Sequence, residues 1–255
     1  MSRTAVYQAL VLRNRPSGES NSEVTLLTAE EGIITATVFG GPKSKLRAHS
    51  APFNSGQVWI YRDKIKNYAH NQSYAKLSDF DVHSWRAGLR EQYDRTMAAS
   101  AAAQTILSTH GSGGDWALAL KLATDTLDMM ENAGEELCSN LLVHFLWRWT
   151  NILGIQPHLD CCSDCGQKSD TALWFNNHEG SLLCKNCMSA IYSDNAHHLL
   201  QLNPGCRRWF SAAGQLDPSL IPRYSMDKKS FNEAKALVTA ILTEALGKRL
   251  DSWDW

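Results

Sequence analysis

Five short segments near the start of the chain have the apolar and polar pattern of β-strands. They cover residues 5–12, 24–28, 33–39, 57–61 and 68–77. In the third segment Thr35 and Thr37 alternate with apolar neighbours, which is the period of a half-buried strand. Turn-forming residues separate the segments, with a tight turn at Glu31-Gly32 and a break at Gly40-Gly41. Five strands in about 75 residues predict a small closed or partly closed barrel of the OB-fold type.

From residue 84 onward the apolar positions recur every three or four residues, which predicts helices. The predicted helices cover residues 85–107, 116–130, 135–153 and 204–213, followed by a final helix near the C-terminal end. Asp115 is the predicted N-cap of the second helix. One face of the final helix is marked by five apolar residues: Phe231, Ala234, Val238, Ile241 and Ala245.

Four of the seven cysteines form two C-x-x-C pairs, Cys162 with Cys165 and Cys184 with Cys187, separated by eighteen residues. This spacing is typical of a zinc site, because two tight turns can present four thiolates to one tetrahedral ion. Four thiolates leave no open position, so the sequence predicts one structural Zn²⁺. Cys161 is an alternative first ligand that the spacing disfavours. The segment between the pairs is predicted to form a small hairpin.

The expected fold class is therefore α+β and multidomain. We expect an N-terminal OB-fold β-barrel that binds nucleic acid in residues 1–80. We expect an α-helical bundle domain in residues 81–157 and 192–255, and an inserted Cys₄ zinc module in residues 158–191. No internal repeat interrupts this division.

Charge and composition narrow the function classes. The net charge is −1, but residues 1–80 carry ten Lys/Arg against six Asp/Glu, and the remainder carries fifteen against twenty. A basic first part hints at a polyanionic partner. No apolar run reaches the ~18 residues that a membrane span requires, and the first residues lack the pattern of a secretory signal. Together with the paired cysteines, this predicts a reducing, cytoplasmic compartment.

Enzymatic motifs are missing from the sequence. There is no phosphate-binding G-x-x-x-x-G-K-[ST] loop, no G-x-S-x-G, no H-E-x-x-H and no G-x-G-x-x-G after a strand. The H-x-E element of the zinc deaminases is also absent, since neither His158 nor His178 provides it. His144, on an apolar helix, is interpreted as a hydrogen-bonded helix residue. We therefore expect a protein that is not an enzyme.

The basic residues of the predicted barrel are the candidate DNA-binding residues. Loops between the strands of an OB-fold can frame its nucleic-acid groove, where cations contact phosphates and aromatic rings stack on bases. The candidate cations are Lys43, Lys45, Arg47, Arg62, Lys64, Lys66, Arg13 and Arg15. The candidate aromatic residues are Tyr7, Phe39, Phe53, Trp59, Tyr61 and Tyr68. The simpler alternative is that the cations are solvated loop residues and that about half of the rings belong to the barrel core.

Several segments in order resemble the RecO family of bacterial recombination mediators. The first are residues 8–13, the Gly18-Glu19-Ser20 turn, and residues 24–28 and 31–33. The pair Gly40-Gly41 followed by Lys43, Lys45 and Arg47 continues the match, as do Pro52-Phe53, Leu153-Gly154 with Pro157, Cys162-x-x-Cys165-Gly166, and residues 246–250. The resemblance touches all regions of the chain.

This resemblance implies an N-terminal OB-fold, a central helical bundle and an inserted zinc module. It also implies binding of single- and double-stranded DNA, annealing of complementary strands, and, with RecR, help in loading RecA onto DNA coated by single-strand-binding protein. The C-terminal tail of single-strand-binding protein would bind the helical domain, where Arg90, Arg95 and Lys121 are candidate contacts. The expected localisation is the bacterial cytoplasm in association with the nucleoid.

Two other classes stay open on the residues alone. One is a zinc-containing adaptor that binds only proteins and no DNA. The other is an RNA-processing enzyme with a structural zinc ion.

Overall fold

Two compact units make up the chain, Met1–Asn132 and Ala133–Trp255. The computed structural model describes residues 4–41, 43–63, 74–111, 114–168, 170–192 and 199–253. Within them, no helix has the length and apolar composition needed to cross a membrane. The finer division into residues 1–80, 81–157 with 192–255, and 158–191 stays a prediction.

A closed five-stranded barrel forms most of the first unit. Its strands are β1 (Thr4–Ser17), β2 (Asn21–Thr28), β3 (Gly32–Val38), β4 (Ser55–Asp63) and β5 (Tyr74–Ser84). The order around the barrel is β1-β2-β3-β5-β4, antiparallel except for the junction between β3 and β5. The barrel expected from the strand pattern is confirmed.

Alternation along the strands decides which side chains fill the barrel. Val58 and Ile60 of β4 are fully buried, while Trp59 and Tyr61 lie on the outer face and are half-buried. Burial of one face per strand supplies the main favourable term for closing the barrel. The inward-facing cluster is made of apolar residues from all five strands: Tyr7, Ala9, Val11, Val24, Leu26, Ile34, Ala36, Val38, Val58, Ile60, Leu77 and Phe80.

The first strand is longer than its sequence pattern suggests. Residues 13–22 contain Pro16 and Gly18 and were expected to turn, yet β1 stays paired with β2 as far as Ser17, which lies opposite Asn21. A register shift between Val11 and Arg13, of the kind that a β-bulge produces, lies where this polar extension begins. The segment with Lys43, Lys45 and Arg47 follows the Gly40-Gly41 break and was expected to be a loop. Part of it, Lys45–His49, instead forms the short helix α1.

Two helices cover the outer face of β1 and β2, namely α2 (Tyr93–Ser108) and α3 (Trp116–Met130). This cover explains why Leu10 and Leu27, paired across the strands, are buried although they face away from the barrel interior. Gly32 has φ +71°, and a Cβ there would lie 2.8 Å from the Trp116 ring, so only glycine suits this turn.

Helix α2 begins later than the sequence pattern indicates. Residues 87–90 form a 3₁₀ turn, preceded by Arg86 in the left-handed conformation with φ 41°. The buried Arg86 guanidinium donates to the carbonyl of Phe53, to Ser55 Oγ and to Asp128 Oδ1, at 2.7–2.9 Å. These bonds join the barrel to α3. The predicted N-cap is confirmed, since Asp115 accepts from the Leu118 N–H.

The second unit combines helices with a small antiparallel sheet. Its elements are α4 (Glu135–Ile152), β6 (Leu173–Asn176), β7 (Ser181–Leu183), α5 (Lys185–Tyr192), β8 (Leu199–Leu202), α6 (Pro204–Ala213) and α7 (Lys228–Leu246). The strand order in the sheet is β7-β6-β8. Helix α4 packs against α7, and α7 contacts α6 and β8. The Trp147 and Phe210 rings, 4.2 Å apart between centroids, lie in the core of this unit.

Candidate metal centre and nucleic-acid interface

The four predicted cysteine ligands lie together in the second unit. The Sγ atoms of Cys162, Cys165, Cys184 and Cys187 all lie within 4.8 Å of one another. The Sγ atoms of Cys165 and Cys184 are 3.9 Å apart. A tetrahedral ion with Zn–S bonds of about 2.3 Å places sulfurs about 3.8 Å apart, so the spacing fits zinc and is far too long for a disulfide. Cys161 is not part of this group.

Backbone hydrogen bonds shape the first cysteine turn. The Gly166 N–H donates to the Cys162 carbonyl at 2.9 Å, and Gly166 has φ +71°, which explains the glycine after the first pair. Cys162 N–H donates to the Gln167 carbonyl at 3.0 Å. Cys161 pairs with Lys168 in an isolated bridge, which fixes the base of the turn.

The second pair is positioned by the predicted hairpin, which is confirmed as β6 and β7. Cys184 directly follows β7, and Cys187 lies in the first turn of α5. Ser163 N–H donates to the Leu182 carbonyl at 2.7 Å, and Leu182 N–H donates to Ser163 Oγ at 3.0 Å. These two bonds hold the first turn against the hairpin.

The surroundings of Cys162 favour a thiolate. Burial raises the pKa of Cys162, but the backbone N–H groups of Cys165, Cys184 and Asp164 together lower it to about 6. The Cys184 N–H donates to Cys162 Sγ at 3.3 Å. Because the thiolate is the form that binds metal, this lowered pKa suits Cys162 to ligate a soft ion such as Zn²⁺. The pKa of Cys187 is raised instead, first by its hydrogen bond with the Asp164 carboxyl and next by that with Cys184, so Cys187 would lose its proton when an ion binds.

Neither nearby histidine belongs to the cluster. His158 is exposed, and His178 Nδ1 lies 3.4 Å from Glu244 Oε1. Among the described residues, the four cysteines form the group of His, Cys, Asp or Glu that can hold a metal ion.

Arg207 on α6 is a site residue that the sequence pattern did not reveal. Its buried guanidinium donates to the carbonyls of Leu159, at 3.3 Å, and Thr171, at 2.7 Å. These carbonyls bracket the first cysteine pair in sequence, so Arg207 ties that segment to α6. An arginine on an amphipathic helix normally indicates a solvated face, and no sequence signal marks this one as buried.

Three predicted DNA-binding cations lie on or just before α1. Lys43 and Lys45 are exposed and Arg47 is half-buried, and none of the three makes an ion pair with another described residue. The helix is held against the barrel by His49, whose Nδ1 lies 2.9 Å from the Phe80 carbonyl. The barrel therefore presents Lys43 and Lys45 to solvent, with Arg47 partly exposed beside them.

The two arginines of β1 lie beyond its register shift. Arg13 is half-buried opposite Thr25, and the exposed Arg15 lies opposite Glu23 on β2. An acidic cross-strand neighbour reduces the positive potential around Arg15. Lys64 and Lys66, and the aromatic candidate Tyr68, lie outside the described residues.

Arg62 lies in a different environment from the other candidates. Arg62 lies two residues after the buried Ile60 on β4, so the two side chains leave the strand on the same side. Its guanidinium makes two hydrogen bonds to the Glu31 carboxylate, at 2.5 and 3.1 Å. Tyr7 Oη donates to Glu31 Oε1 at 2.6 Å. The hydrogen bonds from Arg62 lower the pKa of Glu31, so the carboxylate stays charged and compensates the guanidinium. The DNA-binding role of Arg62 stays a prediction.

The candidate rings separate into two groups. Tyr7 and Phe53 are buried, whereas Phe39 is 40% exposed and Trp59 and Tyr61 are half-buried on the outer face. Lys76, which was not among the predicted residues, places its Nζ 5.3 Å from the centre of the Phe39 ring. Its position could not be recognised without the strand register, which sets it opposite Tyr61.

The candidate contacts for the tail of single-strand-binding protein are unevenly available. Arg90 donates to the carbonyls of Pro52 and Trp85, at 2.6 and 2.8 Å. Lys121 is paired with Asp125 one turn along α3, and Arg95 is half-buried. Their role in binding this tail stays a prediction.

Comparison with known proteins covers both units. The family described as Recombination protein O N terminal matches residues 1–73, and Recombination protein O C terminal matches residues 90–254. A DNA repair protein RecO from Alkaliphilus metalliredigens is 29% identical over 71% of this chain and 70% of its own. Those from Desulfitobacterium hafniense (strain DSM 10664 / DCB-2) and Heliobacterium modesticaldum are 26% and 28% identical over 96% of this chain and 86% of theirs.

A small barrel joined to helices and a metal-capable Cys₄ cluster, with matches along both units, defines a protein of the DNA repair and recombination class. The chain belongs to the RecO family.

Proposed function

We propose that the protein is a recombination mediator that binds single- and double-stranded DNA and anneals complementary strands. With RecR, it would help RecA to load onto DNA coated by single-strand-binding protein. The observation that supports DNA binding is the group of three cations on the barrel, the exposed Lys43 and Lys45 and the half-buried Arg47, which make no ion pair with another described residue. Membership of the RecO family supports the mediator role.

The proposed mechanism requires no bond chemistry. Cations on the barrel neutralise phosphates and release counterions, so binding weakens as salt concentration rises. Two strands held at one positive surface repel each other less, which favours pairing of complementary bases. The protein is proposed to act through binding alone, in agreement with the absence of catalytic motifs from the sequence.

We further propose that the four cysteines bind one Zn²⁺ ion with a structural role. The Cys₄ donor set closes the coordination shell, so the ion has no position for a reacting water. Bound there, the ion would join the first cysteine turn to the β6–β7 hairpin and to α5.

The DNA-binding proposal is tested by reversing the charge of Lys43, Lys45 and Arg47 together to Glu. We expect single-stranded DNA affinity to fall at least about tenfold at moderate salt, because about three phosphate contacts are lost and replaced by repulsion. The plot of log affinity against log salt should become shallower by about two. Fluorescence anisotropy at two or more salt concentrations measures both quantities.

The matched control reverses Lys228, Lys229 and Lys248, which are exposed cations of the second unit. This variant changes net charge equally and should keep most of the affinity. Unchanged affinity in the barrel variant would refute the assignment of the three residues. A wild-type protein without salt-dependent DNA affinity would instead support the protein-only adaptor, and turnover of a labelled polynucleotide would support an RNA-processing enzyme.

A further inference from the structure

A cleft of about 460 Å³ opens in the second unit beside the C-terminal half of α7, and it is called here the α7 cleft. This volume lies within the range of about 300–1,000 Å³ that is usual for binding pockets. None of the four clustered cysteines lines the cleft, so it is not part of the candidate metal centre. Its lining includes Ile155 of the loop that follows α4, Phe175 of β6, Asn177 just after β6, and Ile241, Glu244 and Ala245 of α7.

The apolar side chains of the α7 cleft are incompletely covered by the protein itself. Phe175 and Ile241 are buried, but Ile155 is 37% exposed. Ala245 is the last member of the apolar face predicted for α7, and it is exposed as well. Covering these side chains with apolar atoms of a partner would remove their surface from water, which is the main favourable contribution to most protein association.

Hydrogen bonds to the end of α4 hold the loop that carries Ile155. The Ile155 N–H donates to the Thr150 carbonyl at 3.0 Å, and Gln156 Nε2 donates to the Trp147 carbonyl at 2.8 Å. The exposure of Ile155 is therefore a property of a fixed backbone. A partner that binds this residue has little loop ordering to bring about, which lowers the entropic cost of binding.

The polar part of the α7 cleft is acidic. Asn177 Nδ2 donates to Glu244 Oε2 at 3.2 Å, and Glu244 Oε1 lies 3.4 Å from His178 Nδ1. The Glu244 side chain is still 49% exposed, and a carboxylate accepts about four hydrogen bonds, so it has acceptor capacity left for a ligand. Asn177 Oδ1 is buried without a hydrogen-bond partner among the described residues, which adds the negative end of an amide dipole beside this carboxylate. No lysine or arginine is among the described residues that line the cleft.

We propose that the α7 cleft binds a segment of a partner protein in which a lysine or arginine adjoins an apolar side chain. The cation would bind the Glu244 carboxylate, and the apolar side chain would cover Ile155 and Ala245. An acidic segment or a nucleic-acid strand would be repelled by the same carboxylate. The cleft therefore selects the opposite charge from the cationic residues of the first unit that were considered for the tail of single-strand-binding protein. This inference goes beyond the proposed function, because it requires no DNA binding by the barrel.

The test presents a phage-displayed library of random peptides to the full-length, zinc-loaded protein and, in parallel, to the variant Ala245→Trp. The indole of this variant would fill the cleft from an exposed position on α7. Peptides that the parent retains and the variant does not should carry a lysine or arginine next to an apolar residue. Their consensus, synthesised with a fluorophore, should bind Ala245→Trp at least about tenfold more weakly than the parent in fluorescence anisotropy.

A second variant, Glu244→Gln, removes the charge and keeps an acceptor for Asn177. It should lower the affinity for the consensus peptide about threefold to fivefold and remove most of the salt dependence of binding. Two matched controls should bind like the parent. Ala245→Ser leaves the cleft open, and Glu136→Gln removes an exposed carboxylate of α4 that does not line it. Circular dichroism and thermal unfolding check that each variant is folded.

Three results would overturn the inference. The parent could retain no peptide that Ala245→Trp fails to retain, the selected peptides could lack a basic residue, or Glu244→Gln could bind the consensus as tightly as the parent at low salt. These results concern the second unit only, so DNA binding by the barrel would stand. A protein that bound the basic and apolar peptides in the cleft but no DNA would contradict the proposed function and leave this inference intact.

Discussion

At the scale of single residues, His144 is a buried titratable side chain whose environment the sequence pattern does not reveal. It was interpreted as a hydrogen-bonded helix residue, but it is fully buried in α4 and neither ring nitrogen makes a hydrogen bond of good geometry to the described residues, although the backbone of Ala213 and Leu216 lies close enough to raise its pKa in part. Burial, and next the Arg148 charge, lower its pKa from 6.5 to about 4. The ring lies edge-on to Trp209, with centroids 6.5 Å apart, in a place suited to neutral imidazole.

This environment predicts that the protein loses stability in mild acid. Between the two pKa values the unfolded chain binds a proton at His144 and the folded chain does not, so stability present above pH 6.5 is lost as pH falls. We expect the free energy of unfolding to fall by about 1 kcal/mol between about pH 7.5 and pH 5.5 from this residue. Urea unfolding at the two pH values measures it.

The control for this prediction is His144→Met, which removes the titrating group and keeps a buried apolar side chain. The difference in unfolding free energy between the two pH values should shrink by about 1 kcal/mol in the variant. An identical pH dependence in both proteins would show that His144 is not the responsible group.

Single residues also show what a sequence can and cannot reveal about a site. The cysteine cluster was predictable because metal geometry restricts such residues to a recognisable spacing, and the structure brings together all four. Arg62 was selected for its charge, but a residue type does not reveal that Glu31, 31 residues away in sequence, lies beside it. Lys76 was missed for the same reason, since pairing across strands is a long-range property.

At the scale of elements, the two cysteine pairs differ in what holds them. The short strands β6 and β7 bury Phe175, Leu182 and Leu183, so the hairpin before the second pair has an apolar core of its own. The first pair lies in a turn that is held by a few hydrogen bonds, and Cys165 is exposed, so a bound ion should contribute much of the order of this turn.

We therefore expect Cys162→Ser to lose bound zinc and to lower the unfolding temperature of the protein by at least about 5 °C. Elemental analysis and differential scanning calorimetry measure the two effects. The matched control is Cys161→Ser, next to the ligand but outside the cluster, which should keep one zinc ion per chain. Loss of zinc in the control but not in Cys162→Ser would reverse the choice between the two neighbouring cysteines.

The elements themselves were predictable where local pattern and burial agree. Helix α3 begins and ends where its apolar period and the Asp115 cap indicate. Strand β1 and the start of α2 differ because distant contacts decide them. Because β1 pairs with β2, it continues past Pro16 and ends at Ser17. Before α2, Arg86 has the left-handed conformation, and its hydrogen bonds to Phe53 and Ser55 hold it there.

At the scale of the whole molecule, net charge is a poor guide to function. The chain carries −1 overall, yet the barrel presents Lys43 and Lys45 to solvent, with Arg47 partly exposed beside them, and none of the three makes an ion pair with another described residue. Phosphates respond to the local potential within about 8–10 Å at physiological salt, so a distant excess of carboxylates is largely screened. A mildly acidic protein can therefore bind DNA, but with only a few phosphate contacts and a moderate dependence on salt.

This reasoning gives a quantitative prediction for strand annealing by the full-length protein. If about three phosphate contacts hold each single strand, affinity should fall about twentyfold between about 50 and 200 mM salt. The acceleration of annealing should decline in parallel, although annealing without protein becomes faster as salt screens the strands. Stopped-flow measurements on complementary oligonucleotides, with and without protein, give the ratio at each salt concentration. Adding single-strand-binding protein and RecR then tests the mediator role. An acceleration that does not change with salt would mean that the phosphate contacts of the barrel do not bring the strands together.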